Sequence, residues 1–175
     1  MKTILIFVSS LDGKVTKWGE SHVSSWSSHQ DQNFYKKILN ESRLSVMGSN
    51  TFNTGTFKPS ANHQHIIMTR HRDKYKYFEI SGQVEFTNES PNELTTRFIN
   101  KGHQQMLVLG GPRIATSFLK EQLIDELWLT FEPKIFGQGD NFATDAKLDI
   151  NLHLMHCEKV NDQGTLITKY AVLKK

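Results

Sequence analysis

Short apolar runs and amphipathic stretches alternate along most of the chain. The runs at residues 3–8, 44–47, 65–69, 84–87, 106–109 and 126–131 predict buried strands. Phe34, Ile38 and Leu39 mark the apolar face of a helix that begins between residues 27 and 29. The capping box Ser90-Pro-Asn-Glu93 carries proline at the first helical position, so it predicts a second helix that ends near residue 101.

The run at 106–109 leads through a glycine turn into a third predicted helix. Gly110 and Gly111 precede Pro112, and proline is favoured in the first turn of a helix. Apolar residues then repeat at helical spacing, at Ile114, Ala115, Phe118 and Leu119. Glycines allow a ligand to approach the backbone closely, and a helix N-terminus attracts anions. The pattern fits a nucleotide phosphate site or an ordinary strand-to-helix turn, because the full G-x-G-x-x-G fingerprint is absent.

The end of the chain has the pattern of an antiparallel hairpin. Residues 150–159 and 165–173 are rich in apolar and β-branched side chains, and Asn161-Asp-Gln-Gly164 separates them. The whole pattern predicts one α/β domain over residues 1–175, with a mainly parallel sheet, an antiparallel edge and helices on both faces. The loop before the first helix is polar, so Trp18, Gly19, His22 and Trp26 are predicted to be exposed or half exposed.

Composition and charge exclude several classes of protein. Hydrophobic residues make up 37% of the chain and charged residues 22%, as in an ordinary globular protein. The formal net charge of +3 is spread along the chain, which favours a phosphorylated ligand but argues against nucleic acid binding. No apolar stretch has the length of a membrane span or the flanks of a signal peptide, so we expect a cytoplasmic protein with no membrane partner.

Cysteine and histidine give little support for a metal site. Cys157 is the only cysteine, which excludes an internal disulfide and a cysteine zinc cluster. His63 and His65 could face one side of a strand, but no third ligand accompanies them. We therefore predict that the protein holds no metal.

Five short motifs follow one another in order along almost the whole chain. They are Ser10-Leu-Asp-Gly13, Val46-Met-Gly-Ser-Asn-Thr51, Met68-Thr-Arg70, Leu107-Val-Leu-Gly-Gly111, and Ile124-Asp-Glu-Leu127 continuing to Pro133-Lys-Ile-Phe-Gly-Gln-Gly139. Together they resemble the dihydrofolate reductase fold. The resemblance is closer to the small reductases that include the C-terminal reductase domain of the riboflavin biosynthesis deaminase-reductase. A zinc deaminase half is not expected here, because its P-C-x-x-C pattern needs more than one cysteine.

The resemblance implies a binding site for NADPH at two strand-to-helix turns. The residues that would face the pyrophosphate are Gly48, Ser49, Asn50 and Thr51 from one turn, and Gly110, Gly111, Pro112, Arg113 and Ile114 from the other. Thr69 and Arg70 would hold the 2′-phosphate through a hydroxyl and a guanidinium group. Without the resemblance, Arg70 would be interpreted as a solvated surface residue.

The resemblance also implies a substrate pocket after the first strand. Ser10 and Gly13 would line it, and Asp12 would shape the loop beside the reaction as one of two candidate catalytic residues. An Asp-Gly pair also forms a simple turn in many proteins.

The resemblance also implies the other candidate catalytic residue, Asp31, because dihydrofolate reductases carry a pocket acid at a similar place in a helix. Asp31 precedes Phe34 by three positions, so both side chains share one helix face, and Phe34 would form an apolar wall of the substrate pocket. This carboxylate could bind the amino-and-ring-nitrogen edge of a pteridine or pyrimidine and assist protonation. Alternatively, Asp31 caps or decorates the helix N-terminus, where acidic residues are favoured.

These features predict an NADPH-dependent reductase of a heterocyclic small molecule. The substrate would be 5-amino-6-(5-phosphoribosylamino)uracil, or dihydrofolate or another pteridine, and the motifs at 125–127 and 133–139 favour the former. A nucleotide-binding module without catalytic turnover is the alternative from another class. A homodimer is implied by the resemblance, and the apolar hairpin supports it as an edge that would otherwise be exposed.

Overall fold

The computed structural model describes residues 1–20, 22–54, 58–144 and 146–174. The sequence of residues 52–62, with Gly55 and Pro59, predicts a loop, and the part that includes Gly55 lies outside the described residues. The strands are β1 Lys2–Ser10, β2 Leu44–Gly48, β3 Gln64–Met68, β4 Val84–Thr87, β5 Gln105–Val108, β6 Glu126–Glu132, β7 Asn151–Lys159 and β8 Leu166–Leu173. The α-helices are α1 His29–Glu41, α2 Ser49–Phe52, α3 Pro91–Asn100 and α4 Pro112–Lys120.

All eight strands form one sheet, in the order β4-β3-β2-β5-β1-β6-β8-β7. The pairs among β1 to β6 are parallel, whereas β8 runs antiparallel to β6 and β7 antiparallel to β8. The predicted α/β fold, with a mainly parallel sheet and an antiparallel hairpin at its edge, is confirmed. Because parallel strands end at the same edge, the segments that follow β1, β2, β3, β5 and β6 meet there.

Helices cover both faces of the sheet and bury two apolar clusters. On one face, Leu94 and Phe98 of α3 and Phe118 of α4 pack on strand residues such as Val108 and Leu129. On the other face, the buried cluster is covered by α1, α2 and the 3-10 helix Arg72–Phe78. No helix in the described part of the chain is both long and apolar enough to cross a membrane.

The local signals place most elements within one or two residues of their predicted bounds. The capping box of α3 is present, with Ser90 and Glu93 each accepting from the backbone N–H of the other. The prediction for Trp26 is wrong, because its side chain is only 3% exposed and packs edge-on against Phe136 at 5.1 Å. The segment that follows β6 covers it, an arrangement that local polarity cannot reveal. Trp18 is 63% exposed, as predicted.

Candidate functional site

The two glycine turns of the sequence meet at the carboxyl edge of the sheet. The backbone N–H of Gly48, the N-cap of α2, donates to the carbonyl oxygen of Gly110 at 2.9 Å. A Cβ atom on Gly48 would lie 3.0 Å from Ile114, and one on Gly111 would lie 3.2 Å from Thr51 Oγ1. Glycine therefore allows the N-terminal turns of α2 and α4 to lie side by side.

Position 110 requires glycine more strictly than position 111. Its φ of +93° is a conformation that L side chains rarely adopt, and an added Cβ would lie 2.9 Å from the Phe7 ring. Gly111 has a negative φ of −73° and is the N-cap of α4. The peptide bond between the two glycines is cis.

The remaining residues predicted for the cofactor flank this pair of turns. Ser49 is half-buried and Asn50 is exposed, both in α2; Pro112 and the exposed Arg113 open α4. Backbone N–H groups at such turns are available to an anion.

Thr69 and Arg70 follow β3, which pairs with β2 on the side away from β5. Thr69 N–H donates to the Thr87 carbonyl at 2.8 Å, and Thr69 Oγ1 accepts from His71 N–H at 3.2 Å. The Arg70 side chain is exposed. Both residues therefore lie beyond the carboxyl end of β3, next to the strand that ends at the Gly48 turn.

The loop after β1 is joined to the loop after β6 through Asp12. One carboxylate oxygen of Asp12 accepts from Ser10 Oγ at 2.6 Å and from Phe136 N–H at 3.1 Å. The other accepts from Gly137 N–H at 2.8 Å. These hydrogen bonds, that of Ser10 foremost, lower the pKa of Asp12 to about 2. A carboxylate so acidic is a poor proton donor near neutral pH, and its contacts are those of a latch between two loops.

Ser10 and Gly13 complete this loop. Ser10 is fully buried, and its hydroxyl also accepts from Lys14 N–H at 3.0 Å. Gly13 has a φ of +77°, and its N–H donates to the Ser10 carbonyl at 3.0 Å. The turn thus presents a rigid backbone at the end of β1.

Asp31 lies in the first turn of α1 with its carboxyl group turned into the protein. The side chain is 7% exposed. Ser28 is the residue that caps the helix, because its hydroxyl accepts from Asp31 N–H at 3.2 Å. Asp31 instead directs its carboxyl group towards the hydroxyl of Thr130 on β6. Ser28 is therefore the N-cap of α1, and Asp31 is an acidic residue of its first turn.

Burial changes the chemistry of Asp31. Removal from water is the main cause that raises its pKa to about 6, and the negative charge of Glu132 adds to the effect. The hydroxyls of Thr130 and Ser27 act in the opposite direction without cancelling it. A carboxyl group with this pKa exchanges a proton close to neutral pH, as general acid–base catalysis requires.

Phe34 lies one helical turn after Asp31 and packs beside Trp128, with ring centroids 6.2 Å apart. The ammonium group of Lys169 lies 4.0 Å from the Trp128 centroid and 5.8 Å from that of Phe34. Phe34 therefore contributes to the packing of α1 on β6, on the same helix face as Asp31.

Sequence reasoning missed three residues around Asp31. Thr130 and Glu132 lie on one face of β6, and both are almost fully buried. The indole N–H of Trp26 is buried without a hydrogen-bond partner among the described residues. Polar residues at alternate positions of an otherwise apolar strand were the signal available for Thr130 and Glu132.

His63 and His65 form a structural hydrogen-bond chain. His63 Nδ1 lies 2.8 Å from the Ser42 carbonyl oxygen, and the Ser45 hydroxyl lies 2.8 Å from both His63 Nε2 and His65 Nδ1. Burial lowers the pKa of both imidazoles, that of His65 to about 3. In the described part of the chain, no group of three or more His, Cys, Asp or Glu residues is placed to hold a metal ion.

Solved structures share this fold. A deaminase/5-amino-6-(5-phosphoribosylamino)uracil reductase of Thermotoga maritima superposes with a TM-score of 0.76 at 17% identity, over 97% of this chain and 56% of that one. Dihydrofolate reductase of Enterococcus faecalis, complexed with NADP(H), superposes with a TM-score of 0.73 at 17% identity, over 99% of this chain and 97% of that one. At these identities the likeness defines a dihydrofolate reductase-like fold.

The sequence identifies the family within that fold. The profile of the RibD C-terminal domain matches residues 1–166, so the chain belongs to the RibD C-terminal domain family. The uncharacterized protein YwjB of Bacillus subtilis is 26% identical over 146 residues, which are 79% of this chain and 80% of that protein.

Proposed function

We propose that the protein is an NADPH-dependent reductase that transfers a hydride to a pyrimidine- or pteridine-type heterocycle. The observation that carries the proposal is the pairing of two sites at one edge of the sheet. One is the double glycine turn, and the other is a buried carboxyl group whose pKa is raised to about 6. Membership of the RibD C-terminal domain family and the folds of the two reductases support it.

The double turn has the features that a dinucleotide needs. Glycine at positions 48 and 111 lets the starts of α2 and α4 lie side by side, so a diphosphate bound at the start of α4 would also lie beside the Gly48 turn. The N–H groups at the start of α4 would hold the phosphates, and Arg70 would bind the 2′-phosphate. Bound NADPH would supply the hydride.

Reduction of a C=N or C=O bond adds a proton as well as a hydride. Asp31 is the candidate source of that proton, since it is largely protonated below pH 6 and partly so above it. Burial keeps competing water away from the carboxyl group, and the hydrogen bond with Thr130 orients it. Asp12 would hold the loops after β1 and β6 together beside the substrate.

Two substrates remain candidates for this pocket. The family favours 5-amino-6-(5-phosphoribosylamino)uracil, the substrate named for the Thermotoga maritima reductase. The second candidate is dihydrofolate or another pteridine. The specific observation in its favour is the buried Asp31 carboxyl group, because a carboxyl group with a pKa of about 6 can accept from a heterocycle edge or donate to it.

The test is NADPH oxidation against diaminouracil ribosyl phosphates and against pteridines. Turnover of one class, lost in Asp31→Asn by at least about tenfold with NADPH affinity unchanged, supports the proposal. NADPH binding without turnover across both classes favours a nucleotide-binding module instead. Absence of NADPH binding overturns the proposal.

The choice of cofactor is tested separately through Arg70. A lost charge-assisted contact costs about 1.5–3 kcal/mol, so Arg70→Glu should weaken NADPH binding by roughly ten- to hundredfold. NADH has no 2′-phosphate and should be affected far less. Arg43→Glu is the control, an exposed arginine that precedes β2 at the opposite edge of the sheet, and it should leave the affinity for both cofactors unchanged. Equal losses for both cofactors in Arg70→Glu would remove Arg70 from the 2′-phosphate site.

A further inference from the structure

Glu132 is a buried carboxylate at the carboxyl end of β6. Its side chain is 2% exposed, and both oxygens accept hydrogen bonds from neutral donors. Ser28 N–H donates to Oε1 at 2.7 Å, and Thr165 Oγ1 donates to Oε2 at 2.8 Å. Burial of a carboxylate without a cationic partner lowers the stability of the fold, and an apolar residue at this position would be more favourable.

The two donors belong to different parts of the fold. Ser28 is the N-cap of α1, and Thr165 immediately precedes β8. Thr165 is itself held by Asn161, whose side-chain oxygen accepts from Thr165 N–H at 3.0 Å. Glu132 therefore ties the start of α1 and the turn of the terminal hairpin to the end of β6.

The same contacts bring Glu132 close to Asp31. The Ser28 hydroxyl accepts from Asp31 N–H, and Ser28 N–H donates to Glu132. Both acids are therefore hydrogen-bonded to the same residue. Thr130, whose hydroxyl contacts Asp31, lies two positions before Glu132 on the same face of β6. The two acids are close enough to interact, since repulsion by the Glu132 charge is among the causes that raise the pKa of Asp31.

Few other ionisable groups act on Asp31 in the described part of the chain. Tyr35 lies one turn after Asp31 in α1 and is 37% exposed. Partial loss of hydration and the nearby Asp31 raise the pKa of Tyr35 to about 12. Tyr35 is therefore neutral wherever Asp31 titrates. Lys134 is directed elsewhere, since its ammonium group donates to the Trp26 carbonyl.

We propose that Glu132 is a positioning residue for Asp31: it fixes the first turn of α1 through Ser28, and its negative charge keeps the proton on Asp31. The inference rests on the proposed function, in which that proton goes to the substrate. It gives the charge of Glu132 a role beyond its two structural hydrogen bonds.

The test titrates Asp31 directly, by the carboxyl-carbon NMR signal of the protein without cofactor or substrate. Asp31→Asn identifies the signal. Glu132→Gln keeps the shape and can still accept from Ser28, so it removes mainly the charge. The Asp31 midpoint should then move to lower pH by up to about one pH unit, since a nearby like charge is gone.

Thr165→Val is the matched control, because it removes one hydrogen bond of Glu132 and leaves the charge. It should leave the Asp31 midpoint within a few tenths of a pH unit of the native value. If Glu132→Gln does not fold, Glu132→Asp tests the positioning role instead. The shorter side chain should speed amide exchange at Ser28 and leave exchange in α3 unchanged. An unmoved Asp31 midpoint in folded Glu132→Gln, or unmoved Ser28 exchange in Glu132→Asp, overturns the proposal.

The pH profile of turnover separates this inference from the proposed function. If both hold, the fall in kcat above pH 6 begins up to about one pH unit lower in Glu132→Gln, so kcat at pH 7 drops by up to about tenfold. If the Asp31 midpoint shifts in Glu132→Gln but the native protein shows no turnover, only the proposed function is contradicted. If the native protein shows turnover but the Asp31 midpoint does not shift in Glu132→Gln, only the role of Glu132 is contradicted.

Discussion

Single carboxyl groups at this edge differ in chemistry because their surroundings differ. Asp12 accepts three hydrogen bonds and has its pKa lowered to about 2, whereas Asp31 is buried and has its pKa raised to about 6. Two aspartates at one edge of the sheet therefore suit opposite tasks, a permanent anion and a proton donor.

The burial of Asp31 should be visible as a pH-dependent loss of stability. Its pKa is higher in the folded state than the ordinary 3.8, so the favourable contribution is full below pH 3.8 and is lost as pH rises through 6. Asp31→Asn should therefore be more stable than the native protein at pH 8, by about 3 kcal/mol at most, and this gain should vanish near pH 4. Urea unfolding at both pH values measures it. A variant that is less stable at pH 8 would contradict this account.

At the scale of elements, two contacts organise the site: the latch at Asp12 and the meeting of α2 with α4. Neither is local in sequence, since Asp12 binds Phe136 and Gly137 across more than 120 positions. Each joins loops that follow different strands, so each can be loosened without damage to the sheet.

Asp12→Ala should release the loop after β6. Phe136 N–H and Gly137 N–H lose their acceptor, so their amide exchange should become faster while exchange in β1 and β6 stays slow. Hydrogen exchange followed by NMR measures both sets of amides. Asp140→Ala is the control, an exposed aspartate in the same segment. Unchanged exchange at residues 136 and 137 would show that Asp12 is not the latch.

The two glycines before α4 should respond differently to substitution. Gly111→Ala places a Cβ 3.2 Å from Thr51 Oγ1, which a small shift can accommodate, whereas Gly111→Val adds a branched chain at the α2–α4 contact. We expect both variants to fold and only Gly111→Val to lose NADPH binding, by about tenfold or more. Gly110→Ala should instead lower the melting temperature, because of its φ of +93° and the Phe7 ring. Intact NADPH binding in Gly111→Val would place the diphosphate elsewhere.

At the scale of the whole molecule, the sheet has one strongly exposed edge. Every residue of β7 is exposed, including the apolar Leu152, Leu154 and Met155. An edge strand of this kind can pair with another chain. We therefore expect the homodimer to form along this edge.

Light scattering at micromolar concentration should give the mass of two chains. Leu154→Lys should give the mass of one chain, because a lysine on an edge strand opposes pairing. Leu11→Lys is the control, an apolar side chain that is 60% exposed in the loop after β1, and it should remain dimeric. If the unmodified protein has the mass of one chain, the prediction of a homodimer is wrong.

The sequence by itself determined the elements and their order. The α3 capping box, the turn at 110–112 and the apolar runs each encode local structure through backbone preference and periodicity. The parallel sheet followed from that order, since strands separated by helices pair in parallel. The glycine turns and Asp31 were also visible as candidates, because the order of the motifs resembles a known reductase family.

Only the tertiary structure decided which polar groups are buried and what faces them. Trp26 lies in a polar loop, yet the segment after β6 covers it. The environment of Asp31 depends on Thr130 and Glu132, about one hundred residues away in sequence. Burial and long-range charge come from the packing of distant segments, and local pattern carries no information about either.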